Sequence, residues 1–172
     1  ASSSISCGRA CASSARSTSR SARNRRVDFP SSLSFTTDVL LKDGESLRIR
    51  AVHPEDRERL ARQFPPGLAG HDFDRDFGLV ATQGSSGEEI VGFGRFHRLE
   101  AAPDGVPRAE FALSVADAWR QRGVGIALLE QMTSAASRLG IERFEAAVLP
   151  GTPAMVDLLA PLGFDISSET RA

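Results

Sequence analysis

Residues 115–126 read VADAWRQRGVGI and hold the most informative turn of the chain. A segment with strand-like alternation, residues 108–115, precedes it, and residues 122–139 follow with apolar residues at helical spacing. The stretch therefore joins a strand to a helix through R-Q-R-G-V-G. Its glycines allow close backbone approach, and the first N–H groups of the helix are free to bind an anion. With Arg120 and Arg122 beside them, these groups have the chemistry of a pyrophosphate cradle.

The spacing of this turn excludes two common phosphate-binding motifs. A dinucleotide fingerprint needs a third glycine or alanine where Leu128 stands. A P-loop needs Gly-Lys-Ser/Thr, but Lys42 is the only lysine of the chain. Taken alone, the turn is also compatible with a plain glycine-rich connection between a strand and a helix.

The surrounding pattern predicts one domain over residues 33–172. Leu33–Leu41 and Leu47–Ala51 alternate around the hairpin signal Asp43-Gly44, and a helix begins at Pro54. The remaining predicted elements are strands at 77–82, 89–99 and 108–115, a helix at 122–139, a strand at 141–149, a helix at 152–162 and a short strand at 164–168. This order predicts an α/β (α+β) fold, with a mixed, mostly antiparallel sheet flanked by helices on both faces.

Residues 1–32 differ in composition from the rest and are interpreted as a disordered Ser/Arg-rich leader. Residues 1–37 hold six arginines and one acid, whereas residues 38–172 hold 15 basic and 21 acidic residues. The segment has too little apolar surface to offset its ordering entropy. We interpret it as dispensable, with organellar targeting or a basic arm for an acidic partner as alternatives. Cys7 and Cys11 are expected to be free thiols, because a metal site would need further ligands nearby.

Composition narrows the possible partners. The net charge of −1 gives no electrostatic reason to bind nucleic acid or an anionic membrane, and no apolar run is long enough to span a bilayer. We therefore expect a cytoplasmic protein of undetermined oligomeric state.

No metal is expected either. His71, Asp72, Asp74 and Asp76 do not match a calcium loop, and we interpret them as a solvated acidic loop beside a substrate groove.

Three further phrases accompany the phosphate-binding turn. They are LRIRAVHPEDRERL near the start, A-E-F-A-L-x-V before the turn and VLPGTPAMVDLLAPLGF near the end. With Arg120, Gly123 and Gly125 meeting the pattern R/Q-x-x-G-x-G/A, residues 38–166 resemble the GNAT-fold N-acetyltransferases. The phrases are most similar to the GNAT domain of bacterial protein lysine acetyltransferases.

The resemblance implies acetyl-CoA as co-substrate and assigns residues to it. The pantetheine arm would bind along the strand before the turn, and the pyrophosphate would bind backbone N–H groups at the start of the helix. The implied cofactor-binding residues are Leu113, Ser114, Val115, Arg120, Gln121, Arg122, Gly123, Val124, Gly125 and Ile126. In the protein-acetylating branch the acid of the A-E-F-A phrase is the general base, here Glu110.

A base is needed because only a neutral amine attacks a thioester. A free lysine has a pKa of about 10.4, so deprotonation near pH 7 costs roughly 4–5 kcal/mol. Glu110 lies between Ala109 and Phe111, which indicates an apolar setting. The rival interpretation is a charged residue at the start of a strand, either solvated or paired with Arg108 or Arg95. His97 is an alternative base. The absence of tyrosine excludes a tyrosine acid for the departing thiolate.

Two positions depart from the family pattern. Thr152 stands where the family often places an asparagine, and it would still cap the following helix. The chain ends eight residues after Phe164, so we expect the family's final strand to be missing from it. The sheet would then have an open edge, or Leu33–Leu41 or another chain would cover it.

The leading functional hypothesis is direct acetyl transfer from acetyl-CoA to a primary amine, with a protein lysine favoured. A groove made acidic by Asp72, Asp74, Asp76 and Glu110 would suit such a cation. A small-molecule amine is the enzymatic alternative. A non-catalytic acyl-CoA-binding module is the alternative from another class.

Overall fold

The secondary structure is taken from a computed structural model that describes residues 5–6, 35–66, 72, 76–84, 89–100, 103–146 and 165–166. The strands in these ranges are β1 (Ile5–Ser6), β2 (Thr36–Leu40), β3 (Ser46–Ala51), β4 (Asp76–Gln83), β5 (Glu89–Arg98), β6 (Arg108–Val115), β7 (Arg143–Ala146) and β8 (Asp165–Ile166). The helices are α1 (Arg57–Gln63) and α2 (Val124–Arg138), and 3₁₀ turns lie at Pro54–Asp56 and Asp117–Trp119.

Six of these strands form one mixed sheet in the order β2-β3-β4-β5-β6-β7. All neighbours are antiparallel except β6 and β7, which are parallel. Because successive side chains of a strand point to opposite faces, each strand contributes to two different layers. The helix α2 packs on one face and α1 on the other, which confirms the predicted fold class.

The face that α2 covers carries the larger apolar core. The rings of Phe77, Phe96, Phe111 and Phe144 form a connected series with centroids 5.1–5.4 Å apart. Leu128, Leu129 and Met132 of α2 are fully buried against this layer. This face therefore has the close packing of a protein interior.

Two glycines of β5 let α2 approach this face closely. A Cβ at Gly92 would lie 2.8 Å from a methyl carbon of Leu128, and a Cβ at Gly94 would overlap the sulfur of Met132. The sequence G-F-G in β5 thus sets how near the helix that follows the phosphate-binding turn lies to the sheet.

Among the described residues, the opposite face is apolar only near α1. Leu60 in the middle of this helix and Phe64 just after its end pack with Val80, Ile90 and Phe93. A buried ion pair ties the start of the helix to the sheet. Arg50 of β3 binds both carboxylate oxygens of Asp56 at 2.7 and 2.8 Å, and the backbone N–H of His53 donates to the same carboxylate at 2.8 Å.

The pairing of the edge strand β2 and the terminal strands β1 and β8 differs in part from the prediction. The strand β2 pairs with β3 at the edge opposite β7, so the proposal that residues 33–41 cover the far edge is wrong. At the C-terminal end, β8 pairs antiparallel with β1, a strand within the predicted leader. The remainder of residues 1–32 and the helix predicted at 152–162 lie outside the described residues. Within the described part, no helix has the length and apolarity to cross a membrane.

Candidate active site

Four titratable side chains form a row across the α1 face, which is the face of the sheet that α1 packs on. The row lies in the part of this face that α1 does not cover. The register places Asp76 opposite His97, His97 opposite Glu110, and Glu110 opposite Glu145. Directly opposed residues of neighbouring strands point to the same face, so one polar row runs across β4, β5, β6 and β7.

Two arginines bind the outer members of this row. Arg95 Nη1 lies 2.6 Å from Asp76 Oδ2, and Arg108 Nη1 lies 2.8 Å from Glu145 Oε1. Both pairs are largely shielded from solvent, with Asp76 only 8% exposed. The interpretation that pairs Glu110 with Arg108 or Arg95 is therefore wrong, since each arginine binds a different carboxylate.

Glu110 and His97 form the middle of the row. His97 Nε2 lies 3.4 Å from Glu110 Oε2, and the side chains are 35% and 40% exposed, respectively. Ala109 and Phe111 point to the opposite face and are buried there. The expected apolar setting of Glu110 is thus wrong, because strand alternation separates the carboxylate from both neighbours.

The prediction of an acidic groove is wrong at Asp76. Asp76 is buried against Arg95 and also accepts a hydrogen bond from the backbone N–H of Asp72, at 3.1 Å. It is therefore a structural member of the row and not a free acid in a groove. His71 and Asp74 lie outside the described residues. In the described part of the chain, no three His, Cys, Asp or Glu side chains are grouped to hold a metal ion.

The phosphate-binding turn begins at the end of β6. A 3₁₀ turn at Asp117–Trp119 buries Trp119, and Gln121 and Gly123 then adopt φ values of 62° and 96°. Gly123 is the N-cap of α2 and has no side chain to satisfy the helix end. The left-handed φ explains why the helix starts at Val124, two residues later than the predicted Arg122.

This helix start leaves backbone donors for an anion. The first α2 hydrogen bond runs from the N–H of Ala127 to the carbonyl of Gly123, at 3.0 Å. The N–H groups of Val124, Gly125 and Ile126 consequently have no acceptor within the helix. A phosphate would accept hydrogen bonds from such groups and would be favoured by the positive end of the helix dipole.

The two arginines of the turn are placed differently. Arg120 is 65% exposed and pairs with Asp117 at 2.8 Å. Arg122 lies over the ring of Trp119, 4.1 Å from its centroid, and its Nε donates to Asp43 at 2.5 Å. Hydrogen bonds from Arg122 and from the backbone N–H of Glu45 lower the pKa of Asp43. The carboxylate therefore offsets the charge that Arg122 brings to the turn.

The residues predicted to bind the pantetheine arm form the last part of β6. Leu113, Ser114 and Val115 pair with Gly94, Phe93 and Gly92 of β5, and all three are partly buried. The same strand thus carries Glu110, these three residues and, at its end, the phosphate-binding turn. From Glu110 to Val115 the strand spans about 17 Å.

Sequence reasoning missed several members of this site. It did not anticipate that Glu145 and Asp76 would bind the arginines beside Glu110, or that Asp43 would bind Arg122. These contacts join residues 19 to 79 positions apart, which no local pattern indicates. The G-F-G sequence of β5 was a local signal for the close approach of α2, since glycines inside a strand mark the close approach of another element. It did not indicate the ion pairs.

A family model described as Acetyltransferase (GNAT) family matches residues 44–164. The GNAT domain of S. lividans PAT superposes with a TM-score of 0.61 at 28% identity, covering 78% of this chain and 96% of that domain. A cAMP-binding acyltransferase from Mycobacterium smegmatis matches with a TM-score of 0.58 at 28% identity. That match covers 80% of this chain but only 48% of the acyltransferase.

An aminoglycoside acetyltransferase from an uncultured soil metagenomic sample shares the fold. It matches at 18% identity with a TM-score of 0.53, covering 67% of this chain and 86% of that protein. At this identity the likeness concerns the fold alone.

Proposed function

The chain belongs to the GNAT acetyltransferase family, and we propose that it transfers the acetyl group of acetyl-CoA directly to a protein lysine, with Glu110 as general base. The observation that carries the proposal is the order of groups along β6. A half-exposed carboxylate, a strand segment for an extended arm and a helix start with unbonded N–H groups follow one another in that order.

The residues at the start of α2 fit the pyrophosphate of acetyl-CoA. The N–H groups of Val124, Gly125 and Ile126 would bind the pyrophosphate, and the turn residues Gln121, Arg122 and Gly123 would surround it. Arg120 is exposed beside them, and its guanidinium can approach a phosphate once it leaves Asp117. The segment Leu113, Ser114 and Val115 would bind the pantetheine arm through its backbone.

Glu110 would act on the acceptor. An amine that approaches the α1 face loses a proton to Glu110 as its nitrogen attacks the thioester carbonyl. The new C–N bond forms, the C–S bond breaks, and the electron pair leaves on the sulfur of CoA. Glu110 suits this role because His97, and neither Arg95 nor Arg108, contacts it. A guanidinium bound to it would stabilise the ionised form and weaken the base.

A protein lysine is favoured as acceptor for two reasons. The row is open to solvent at Glu110 and His97, so a side chain on a large partner can reach it. In addition, the GNAT domain of S. lividans PAT is similar over nearly its full length. A small-molecule amine is the competing substrate class.

The test replaces each of the two neighbouring carboxylates of the row. Glu110→Gln should lower kcat/KM by about 10²- to 10⁴-fold, because a positioned base contributes that much, with acetyl-CoA affinity unchanged. Glu145→Gln is the matched control. It removes the same charge one strand away, but from a carboxylate that Arg108 holds and that cannot act as the base, so its loss of activity should be clearly smaller than that of Glu110→Gln.

Calorimetry with acetyl-CoA and mass spectrometry of a lysine-containing peptide and a panel of small amines give the readouts. Equal losses in the two variants would reject Glu110 as the base. Turnover of small amines alone would reject the protein lysine.

A further inference from the structure

The contact between His97 and Glu110 goes beyond the family match and rests on the proposed role of Glu110. We infer that His97 is a positioning residue: its imidazole holds Oε2 of Glu110 and leaves Oε1 to take the proton of the acceptor amine. His97 lies on β5 and Glu110 on β6, so the contact joins two neighbouring strands.

The sheet register makes this contact a fixed feature of the fold. His97 and Glu110 are direct cross-strand partners, so both side chains leave the same face as immediate neighbours. A shift of the register by one residue would send one of them to the α2 face. The pairing is therefore determined by the same register that buries Phe96 and Phe111 on the other side.

The charged groups around the pair support a role for the histidine. From β4, Asp76 binds Arg95 of β5; from β7, Glu145 binds Arg108 of β6. Both permanent cations of the row are thus held by other carboxylates. Among the described residues, His97 is the basic side chain in ion-pair contact with Glu110.

A neutral imidazole has a property that a guanidinium lacks. It donates one N–H to the carboxylate without adding a permanent positive charge, so the carboxylate is oriented and remains able to accept a proton. At 3.4 Å the two side chains are within ion-pair distance but do not form a hydrogen bond in this structure. Such contacts are often long without substrate and shorten in the reactive complex.

The test compares a variant that loses the N–H donor with one that keeps a donor. His97→Leu should lower kcat by about 10- to 100-fold, the scale of a misplaced catalytic group, with the KM for acetyl-CoA unchanged. His97→Gln places an amide N–H near the position of Nε2 and should recover most of the loss. His53→Leu is the matched control, because His53 is an exposed histidine outside the row.

A double-mutant cycle separates positioning from structural damage. In the Glu110→Gln background, His97→Leu should cause no further loss, since the base it orients is already absent. Full additivity, or a kcat for His97→Leu equal to wild type, would overturn the inference. If the leucine variant does not bind acetyl-CoA, His97→Ala takes its place in the cycle.

The two proposals fail in distinguishable ways. If Glu110→Gln keeps wild-type kcat/KM, the role of Glu110 is wrong and the inference falls with it. If Glu110→Gln is impaired and His97→Leu is not, Glu110 remains the base and only the positioning role of His97 is rejected.

Discussion

The two faces of the six-stranded sheet use alternate residues of the same strands yet differ in chemistry. On β5, Phe96 is fully buried under α2, while the next residue, His97, is about one-third exposed in the polar row. The α2 face is closed by packing, whereas the described part of the α1 face is apolar only beside its short helix. The larger apolar core therefore lies on one face, and the other can carry charged side chains open to solvent.

Truncation of a buried ring on each face should show the largest difference. Phe96→Ala should reduce the free energy of unfolding by about 3–5 kcal/mol, because the rings of Phe77 and Phe144 enclose a cavity that cannot easily collapse. Phe93→Ala, equally buried on the α1 face, is the matched variant and should cost less. Its neighbours include the short helix α1, which can shift into the space.

Urea unfolding followed by circular dichroism measures both values. An equal or larger loss for Phe93→Ala would mean that the α1 face is packed as tightly as the α2 face. The two faces would then differ in the polarity of their side chains and not in how tightly they are packed.

The buried ion pair at the start of α1 should give the next largest effect. Asp56→Asn should cost about 3 kcal/mol, because Arg50 loses a partner that binds it through two nitrogens in a mostly buried site. Glu58→Gln is the control. It removes an acid from the exposed pair with Arg62 on the same helix, and we expect no measurable change in stability.

The same pair predicts how stability depends on pH. Burial raises the pKa of Asp56, but hydrogen bonds from Arg50 and from the N–H of His53 outweigh it and hold the pKa below its usual 3.8. A depressed pKa in the folded state stabilises the fold above about pH 4, and this contribution is lost as the pH falls through the folded-state value. Thermal melts of Asp56→Asn should therefore show a weaker loss of stability below pH 4 than wild type. Parallel acid profiles would contradict this.

The fold was predictable because its signals are local. Alternation and turns predicted β6 over its full length, and the helical spacing predicted α2 to within two residues. The start of α2 was misplaced because the left-handed φ of Gly123 depends on the turn as a whole. Of the three arrangements considered for the edge at β7, coverage by residues 33–41 is wrong, since pairing order is a property of the whole sheet.

The site was predictable in its parts and not in its pairings. The sequence singled out Glu110, with His97 as the alternative base, and the structure places the two side chains in contact. Which residue of β5 faces Glu110 depends on the register across the β5–β6 connection, and a slip of one residue would change the answer. Contacts between distant segments, such as Asp43 with Arg122, depend on how the hairpin packs against α2.

The smallest predicted effect lies at the rim where the α2 face meets the phosphate-binding turn. Leu41 belongs to the α2-face core, and two residues later Asp43 holds Arg122. Because this carboxylate offsets the guanidinium next to the helix start, Asp43→Asn should lower the KM for acetyl-CoA by about two- to five-fold, the range expected for one exposed charge pair.

The control for Asp43→Asn is Asp38→Asn, in the same hairpin. Asp38 is an exposed acid paired with Arg48 at 2.8 Å, so its replacement changes the net charge equally but away from the start of α2. Steady-state kinetics at low and moderate salt should show a lower KM for the Asp43 variant alone, with the difference shrinking as salt screens it. A higher KM would instead mean that Asp43 holds Arg122 in the orientation a phosphate needs. Equal shifts in both variants would mean that the KM responds only to net charge. The contact between Asp43 and Arg122 would then have no specific effect on acetyl-CoA binding.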